Sequence, residues 1–351
     1  AVVALTSFGI SKIVINDNPI KWFESDHDIR IADRVLNEHF AGTYMSYLAL
    51  LPSGDSGENF QQEFTHQLAQ IDSSVIGDIK TFANSVDTKS RSDFFIAIQQ
   101  FVEAKLDESS DEMFDVWDEM ALFVDAESRR TEVFKQPEVL RYIENLQAAL
   151  LESGMVGKSN SIADVVKTVH REMLLGEPEQ FRIPDTVSAV AQTLLSYQNS
   201  HRPYDLWHLV TPDYTKSTIW IQLKSGDNVD MSKVVAMVDE YVTSHPLPAG
   251  LTHHWYGLTY INVVWQDRMV SGMMDALIGS FVVVLIMMII LFRSIWWGLL
   301  SMAPLSISVG LIYGIVGLIG KDYDMPVAVL SSLALGLAVD YAIHFLSRSR
   351  D

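Results

Sequence analysis

Residues 272–351 carry three successive apolar segments, at about 276–292, 295–320 and 325–347, and this run limits the fold more than any other feature. About 20 apolar residues suffice to cross a bilayer as a helix. The second and third segments reach that length, and the first reaches it if its helix extends back through residues 272–275. In lipid the backbone must satisfy its own hydrogen bonds, so each segment is expected as a helix. The result is a membrane domain over 272–351, with helices at about 272–293, 295–320 and 325–347. Pro304 falls inside the second, where neighbouring helices can satisfy the freed carbonyl. Gly310 and Gly314 form a small-xxx-small pair that admits close approach of another helix. Trp296 and Trp297 stand where an aromatic belt would lie.

Asp340 interrupts the third segment. A charge at the bilayer centre costs about 2.5–3.5 kcal/mol on insertion scales, so an acid there marks an ion path or holds helices together. At 1.5 Å per residue it lies about 12 Å inside the end marked by Arg348, too deep for a short side chain to snorkel. Steps of four residues place Ser332, Gly336, Asp340 and His344 on one helix face. That face reads as part of a proton or ion path between packed helices. A purely structural hydrogen bond from Asp340 to a neighbouring helix is the alternative, and His344, one turn from Arg348, could equally sit at headgroup level.

The net charge of −19 comes from 44 acidic against 25 basic residues, with the acidic excess in residues up to about 271. A water-exposed domain followed by a membrane block explains that split. Such a charge argues against nucleic acid and against electrostatic docking onto anionic lipid. The sequence has no cysteine, which removes disulfides and thiolate metal sites. Arg293 lies between the first two segments, and Arg348 and Arg350 follow the third, while the loop 321–324 is net acidic. The positive-inside rule then puts Arg293 and residues 348–351 in the cytoplasm and the large acidic domain outside. Residues 1–10 are apolar but too few for a span, and are expected as the end of a preceding transmembrane helix.

Residues 11–271 are expected to form the exterior α/β domain. A strand is predicted at 43–51, ending in turn residues. Pro137 fits the first turn of a helix through about Leu151. Ser161 caps the next helix, with Asp164 in a capping-box position, and Pro184 and Asp185 open another to Tyr197. A βαβ unit closes the domain, with strands at 217–223 and 251–256 and a helix from Asn228 to about Ser244. The arrangement is α+β, expected as a ferredoxin-like (split βαβ) sheet. Residues 58–135, acidic and rich in Phe and Met, read as a helical insertion without a central strand. On a strand His253 and His254 point to opposite faces and cannot share a metal. No HExxH, P-loop or GxSxG occurs, and the carboxylates of 107–119 lack EF-hand spacing. No enzyme and no cofactor are expected.

Several stretches resemble one half of a resistance–nodulation–division (RND) transporter, in the subgroup of exporters related to the MMPL proteins. They are NDNPIKWFESDHDIRIADRVLNEHFAGTY from Asn16, PEVLRYIENLQ from Pro137, SIADVVK from Ser161, ILFRSIWWGLLSMAPL from Ile290 and GLAVDYAIHFLSRSR from Gly336. The resemblance implies two repeated halves, this chain matching the second, and a porter-type exterior domain in a bacterial or archaeal cytoplasmic membrane. It also implies proton-driven export of a lipid-like or hydrophobic substrate. The Asp-Tyr pair of the family falls on Asp340 and Tyr341, giving a relay of Asp340, Tyr341 and His344. The implied partners are membrane lipids, the substrate, the missing half of the polypeptide and a second copy in a homo-oligomer. A non-transporting sensor or secretion accessory protein of sterol-sensing-type architecture is the other reading.

Overall fold

The computed structural model describes residues 2–53, 60–71, 73–88, 91–330, 333, 334, 336 and 337. Its one sheet has four strands, β1 (Tyr44–Pro52), β2 (Val156–Asn160), β3 (Ser217–Leu223) and β4 (Leu251–Tyr256), in the order β2-β3-β1-β4. Every neighbouring pair is antiparallel. It follows that β1 and β2 run the same way with β3 between them, and β3 and β4 run the same way with β1 between them. The closing βαβ unit therefore exists, but its strands are not adjacent.

Alternation in β1 and β3 sends Leu48, Leu50, Ile219 and Ile221 to one face, where all four are fully buried. Two helices supply the opposing surface. In α7 (Pro137–Glu152) the buried residues include Leu140, Ile143 and Leu146, at the spacing of one helical stripe. In α10 (Asn228–Ser244) they include Val234 and Val238. Further helices, α8 (Ile162–Met173) and α9 (Val187–Gln198), extend the same core. Ser161 and Asp164 form the expected capping box, the Ser161 hydroxyl oxygen accepting from Ala163 N at 3.1 Å and Asp164 from Ser161 N at 2.9 Å. The α9 helix starts later than Pro184 and Asp185 suggest, because Thr186 is the residue that caps it.

β2 has no counterpart in the sequence reading. Val156 is its one fully buried side chain, and the strand is held at the sheet edge by β3 alone, with a register shift between Val156 and Lys158. The insertion is helical as expected, comprising α3 (Phe60–Leu68), α4 (Ile76–Ser85), α5 (Arg91–Asp107) and α6 (Asp111–Thr131). It has its own core, in which Phe64 meets Phe94 and Phe95 edge-on at 5.5 Å.

The apolar segments form α11 (Leu258–Phe292) and α12 (Ile295–Leu318), both long and apolar enough to cross a membrane. α11 has 35 residues, about 52 Å at 1.5 Å per residue, against a hydrocarbon core of about 30 Å. It begins two residues after β4, so the expected domain boundary near residue 271 falls inside one unbroken helix. Many of its large side chains, Val283, Ile286 and Ile290 among them, are exposed, while Met288 and Phe292 are buried. A further helix opens at Met325.

The short helix α1 (Val2–Ile10) packs along α12 at glycines. A Cβ on Gly314 would lie 2.7 Å from Thr6 Cα, and one on Gly9 or Gly317 would overlap a backbone oxygen of the facing helix. Gly310 instead looks into open space.

Candidate functional site: a polar clasp at the heads of the membrane helices

Between α1 and the helix α2 (Asp28–His39), the chain runs through Asn16, Asp17 and Asn18, all three buried despite their polarity. Buried polar groups must find partners, and these find theirs on four other parts of the chain. Ile15 forms a parallel bridge with Tyr323, so the segment lies against the loop 321–324 that leaves α12. Asn16 donates through Nδ2 to Asp322 Oδ2 at 2.8 Å and accepts from Asn228 N, the first residue of α10, at 3.0 Å.

Asp17 is the node. Its N–H donates to Gln266 Oε1 on α11 at 2.7 Å, and its carbonyl accepts from Asn228 Nδ2 at 3.3 Å. Its Oδ1 accepts from Met325 N at 3.2 Å, at the start of the helix that opens there. Asn228, 1% exposed, also donates to Gln266 Oε1 at 2.9 Å. Asp324 adds a second cap to the same helix, accepting from Val327 N at 3.0 Å. Carboxylates at a helix N-terminus complement its orphan N–H groups and its dipole.

Three carboxylates of the clasp are paired with lysines. Lys21 reaches Asp227 at 2.6 Å and Asp322 at 3.7 Å, and Lys321 reaches Asp324 at 2.8 Å. Burial presses the Asp227 carboxyl upward, but hydrogen bonds from Asn18 and Lys21 and the Lys21 charge outweigh it and hold the group below its usual range. Asp227 is thus ionised at neutral pH. The arrangement contains no nucleophile paired with a base, and among the described residues no cluster of three or more His, Cys, Asp or Glu could hold a metal. Its bonds join the segment 15–18 to α10, α11, the loop 321–324 and the helix that opens at Met325.

Of the residues singled out from the sequence, Ser332, Asp340, Tyr341 and His344 lie outside the described residues. Gly336 is helical, with open space where a Cβ would stand, as at Gly310, while Gly314 meets α1. His253 and His254 sit at successive positions of β4. His253 pairs with Asp239 at 2.8 Å and His254 is exposed.

The clasp escaped the sequence reading because Asn and Asp favour turns as strongly as they fill buried networks. The available signal was Asn-Asp-Asn-Pro at 16–19, separated by five residues from an apolar helix, together with an acidic loop between two apolar segments.

Residues 135–351 match the model of the MMPL family. The match runs from α7 to the end of the chain and so includes Asp340, Tyr341 and His344. A protein of Methanocaldococcus jannaschii, provisionally described as a membrane protein, is 23% identical over 215 residues, which is 61% of this chain and 52% of that one. The chain thus spans about half the length of the curated relative it matches.

Proposed function

The chain belongs to the MMPL family, and from that premise we propose that it is part of an RND-type exporter that spends a proton gradient to move lipid-like or hydrophobic substrates. In this reading the protein is multi-pass in a cytoplasmic membrane. The sheet domain is a ferredoxin-like porter unit on the outer face, supported by its β2-β3-β1-β4 order. Asp340 carries the proton of this half, with Tyr341 and His344 beside it. The chain performs no covalent chemistry, and its partners are lipid, substrate, the other half of the polypeptide and further copies.

The observation that carries the reading is the clasp. Met325 opens the segment that contains Asp340, and its N–H is bonded to Asp17, which is bonded in turn to α10 and α11. If the segment is helical to 347, as the sequence predicts, Asp340 would stand about 22 Å from that bond at 1.5 Å per residue. A packing change caused by its protonation therefore reaches the exterior domain through hydrogen bonds rather than through a loose linker.

Asp340→Asn in the intact protein tests this. Asn keeps the size and hydrogen bonding of Asp but releases no proton. The variant is expected to express and insert normally and to lose gradient-dependent export. Export at the wild-type rate would leave Asp340 a packing residue, as in a non-transporting sensor of this architecture.

A further inference from the structure

Helix α2 is amphipathic the wrong way round for a helix bathed in water. Arg30, Asp33, Arg34, Asn37 and Glu38 share one arc at about 100° per residue. All five line a cavity of about 520 Å³ between α2 and the loop 224–227. Asn37 is buried and accepts from Thr43 N at 2.8 Å, and Asp33 takes the Tyr44 hydroxyl. The polar side of α2 thus faces the domain. The opposite arc holds Ile29, Ile31, Val35 and Leu36, each 38–44% exposed, with polar residues on it only at the helix ends, Asp28 and His39, and Phe40 just past the helix end is 66% exposed. Trp22 and Phe23, shortly before the helix, are exposed as well.

We propose that α2 lies along the outer surface of the membrane, its apolar arc in the boundary between headgroups and acyl chains. This rests on the reading above, in which the sheet domain stands outside. Three observations carry it. The first is height. Lys21 lies 3.7 Å from Asp322, in the loop between α12 and the helix opening at Met325. α2 starts seven residues after Lys21, no more than about 25 Å away even along an extended chain. Its middle is tied closer, because the Tyr44 ring that Asp33 holds also rests on Gly226, beside the Asp227 that grips Lys21.

The second is direction. The polar arc is bonded to the start of β1 and faces the end of β3, next to the α10 N-terminus that the clasp binds to the membrane helices. The opposite arc faces away from the domain at its membrane-facing end. The third is composition. A strongly polar face, an aliphatic face and a neighbouring Trp make the pattern of a helix lying in the interface plane. Water would instead meet a contiguous apolar patch.

The sequence has no cysteine, so single nitroxide labels can be placed in the intact protein, reconstituted in vesicles of phosphatidylcholine and phosphatidylglycerol. Collisions with oxygen, which partitions into lipid, are compared with those of a water-soluble nickel chelate. A label at Val35→Cys is expected to be relaxed more by oxygen, and one at Tyr204→Cys more by nickel. Ile286→Cys, in the apolar part of α11, serves as the lipid reference. Nickel-dominated relaxation at Val35 overturns the proposal. So does protection from both reagents, which would mean that the arc is covered by protein. If Ile286 itself fails to favour oxygen, the membrane reading falls and the inference with it. If Ile286 favours oxygen and Val35 does not, the inference alone is wrong.

Discussion

Gln266→Met tests the clasp at its narrowest point. Gln266 is 7% exposed, and its Oε1 alone accepts from both Asp17 N at 2.7 Å and Asn228 Nδ2 at 2.9 Å. Met keeps the length and flexibility of the side chain but offers no comparable acceptor. Asn228 retains its bond to the Asp17 carbonyl, whereas the Asp17 N–H, in a residue 4% exposed, is left without its partner. Each lost bond is worth about 0.5–1.5 kcal/mol net, and a buried donor left unpaired costs about 1–3 kcal/mol. With partial relaxation the local cost is about 2–4 kcal/mol, or about 30- to several-hundred-fold in the opening equilibrium that governs amide exchange. Hydrogen exchange read by mass spectrometry should show that loss of protection in a peptide covering Asp17. A peptide covering β3, which belongs to the sheet core, should keep its protection. Unchanged protection at Asp17 would mean that the clasp bears no load. Equal loss in β3 would mean that the clasp and the sheet are one cooperative unit.

Asp227→Asn should destabilise the sheet domain by about 0.5–1.5 kcal/mol at neutral pH, the smaller values reflecting the partial exposure of Lys21. Because the folded carboxyl titrates below its unfolded value of about 3.9, its contribution is present above that pH and is lost as the pH falls through the lower folded value. Thermal melts should therefore show the difference between variant and wild type shrinking only in strong acid, and a difference that already vanishes near neutrality would count against the pairing. Gly317→Val should lower the melting temperature in detergent, since its side chain must displace the α1 backbone at about 1–3 kcal/mol, whereas Gly310→Val should be close to neutral; the reverse order would misplace the α1–α12 contact. In intact cells an impermeant thiol reagent should label Tyr204→Cys and spare Ser294→Cys, and labelling of Ser294→Cys alone would invert the orientation.

The elements that were legible in the sequence are those whose apolar periodicity has one interpretation. β1, β3, α7 and α10 each bury one stripe or one alternating face, and Pro52, Pro137 and Pro246 mark ends of β1, α7 and α10. β2 was illegible because its side chains contribute little and its pairing with β3 creates it. α2 was illegible for a different reason: its arcs have the right period, but period alone does not say which arc faces the domain. The clasp was hidden because Asn16, Asp17 and Asn18 are polar residues in a segment of mostly irregular backbone, and only their partners some two hundred or more positions away show that they are buried. The acid at 340, by contrast, was conspicuous because hydropathy makes a lone charge visible whatever surrounds it.

In the proposed proton-driven cycle, these contacts limit how the sheet domain can move. α11 follows β4 with only Gly257, at a φ of 102°, and the first turn of the helix between them. Thr259 then donates to Met45 O at 2.8 Å, and one to two turns later Gln266 enters the clasp. The start of the helix is thus pinned to the sheet at Thr259 and, about two turns on, to Asp17 and α10 at Gln266. The clasp contributes eight bonds between elements, about 4–12 kcal/mol at 0.5–1.5 kcal/mol each. Moving a two-state equilibrium from about 1:99 to 99:1 takes about 5.5 kcal/mol. Pulling the clasp apart would consume as much as the switch itself supplies. A shift of the helix that opens at Met325 is therefore expected to carry Asp17, α10 and the top of α11 along together, tilting the sheet as a body.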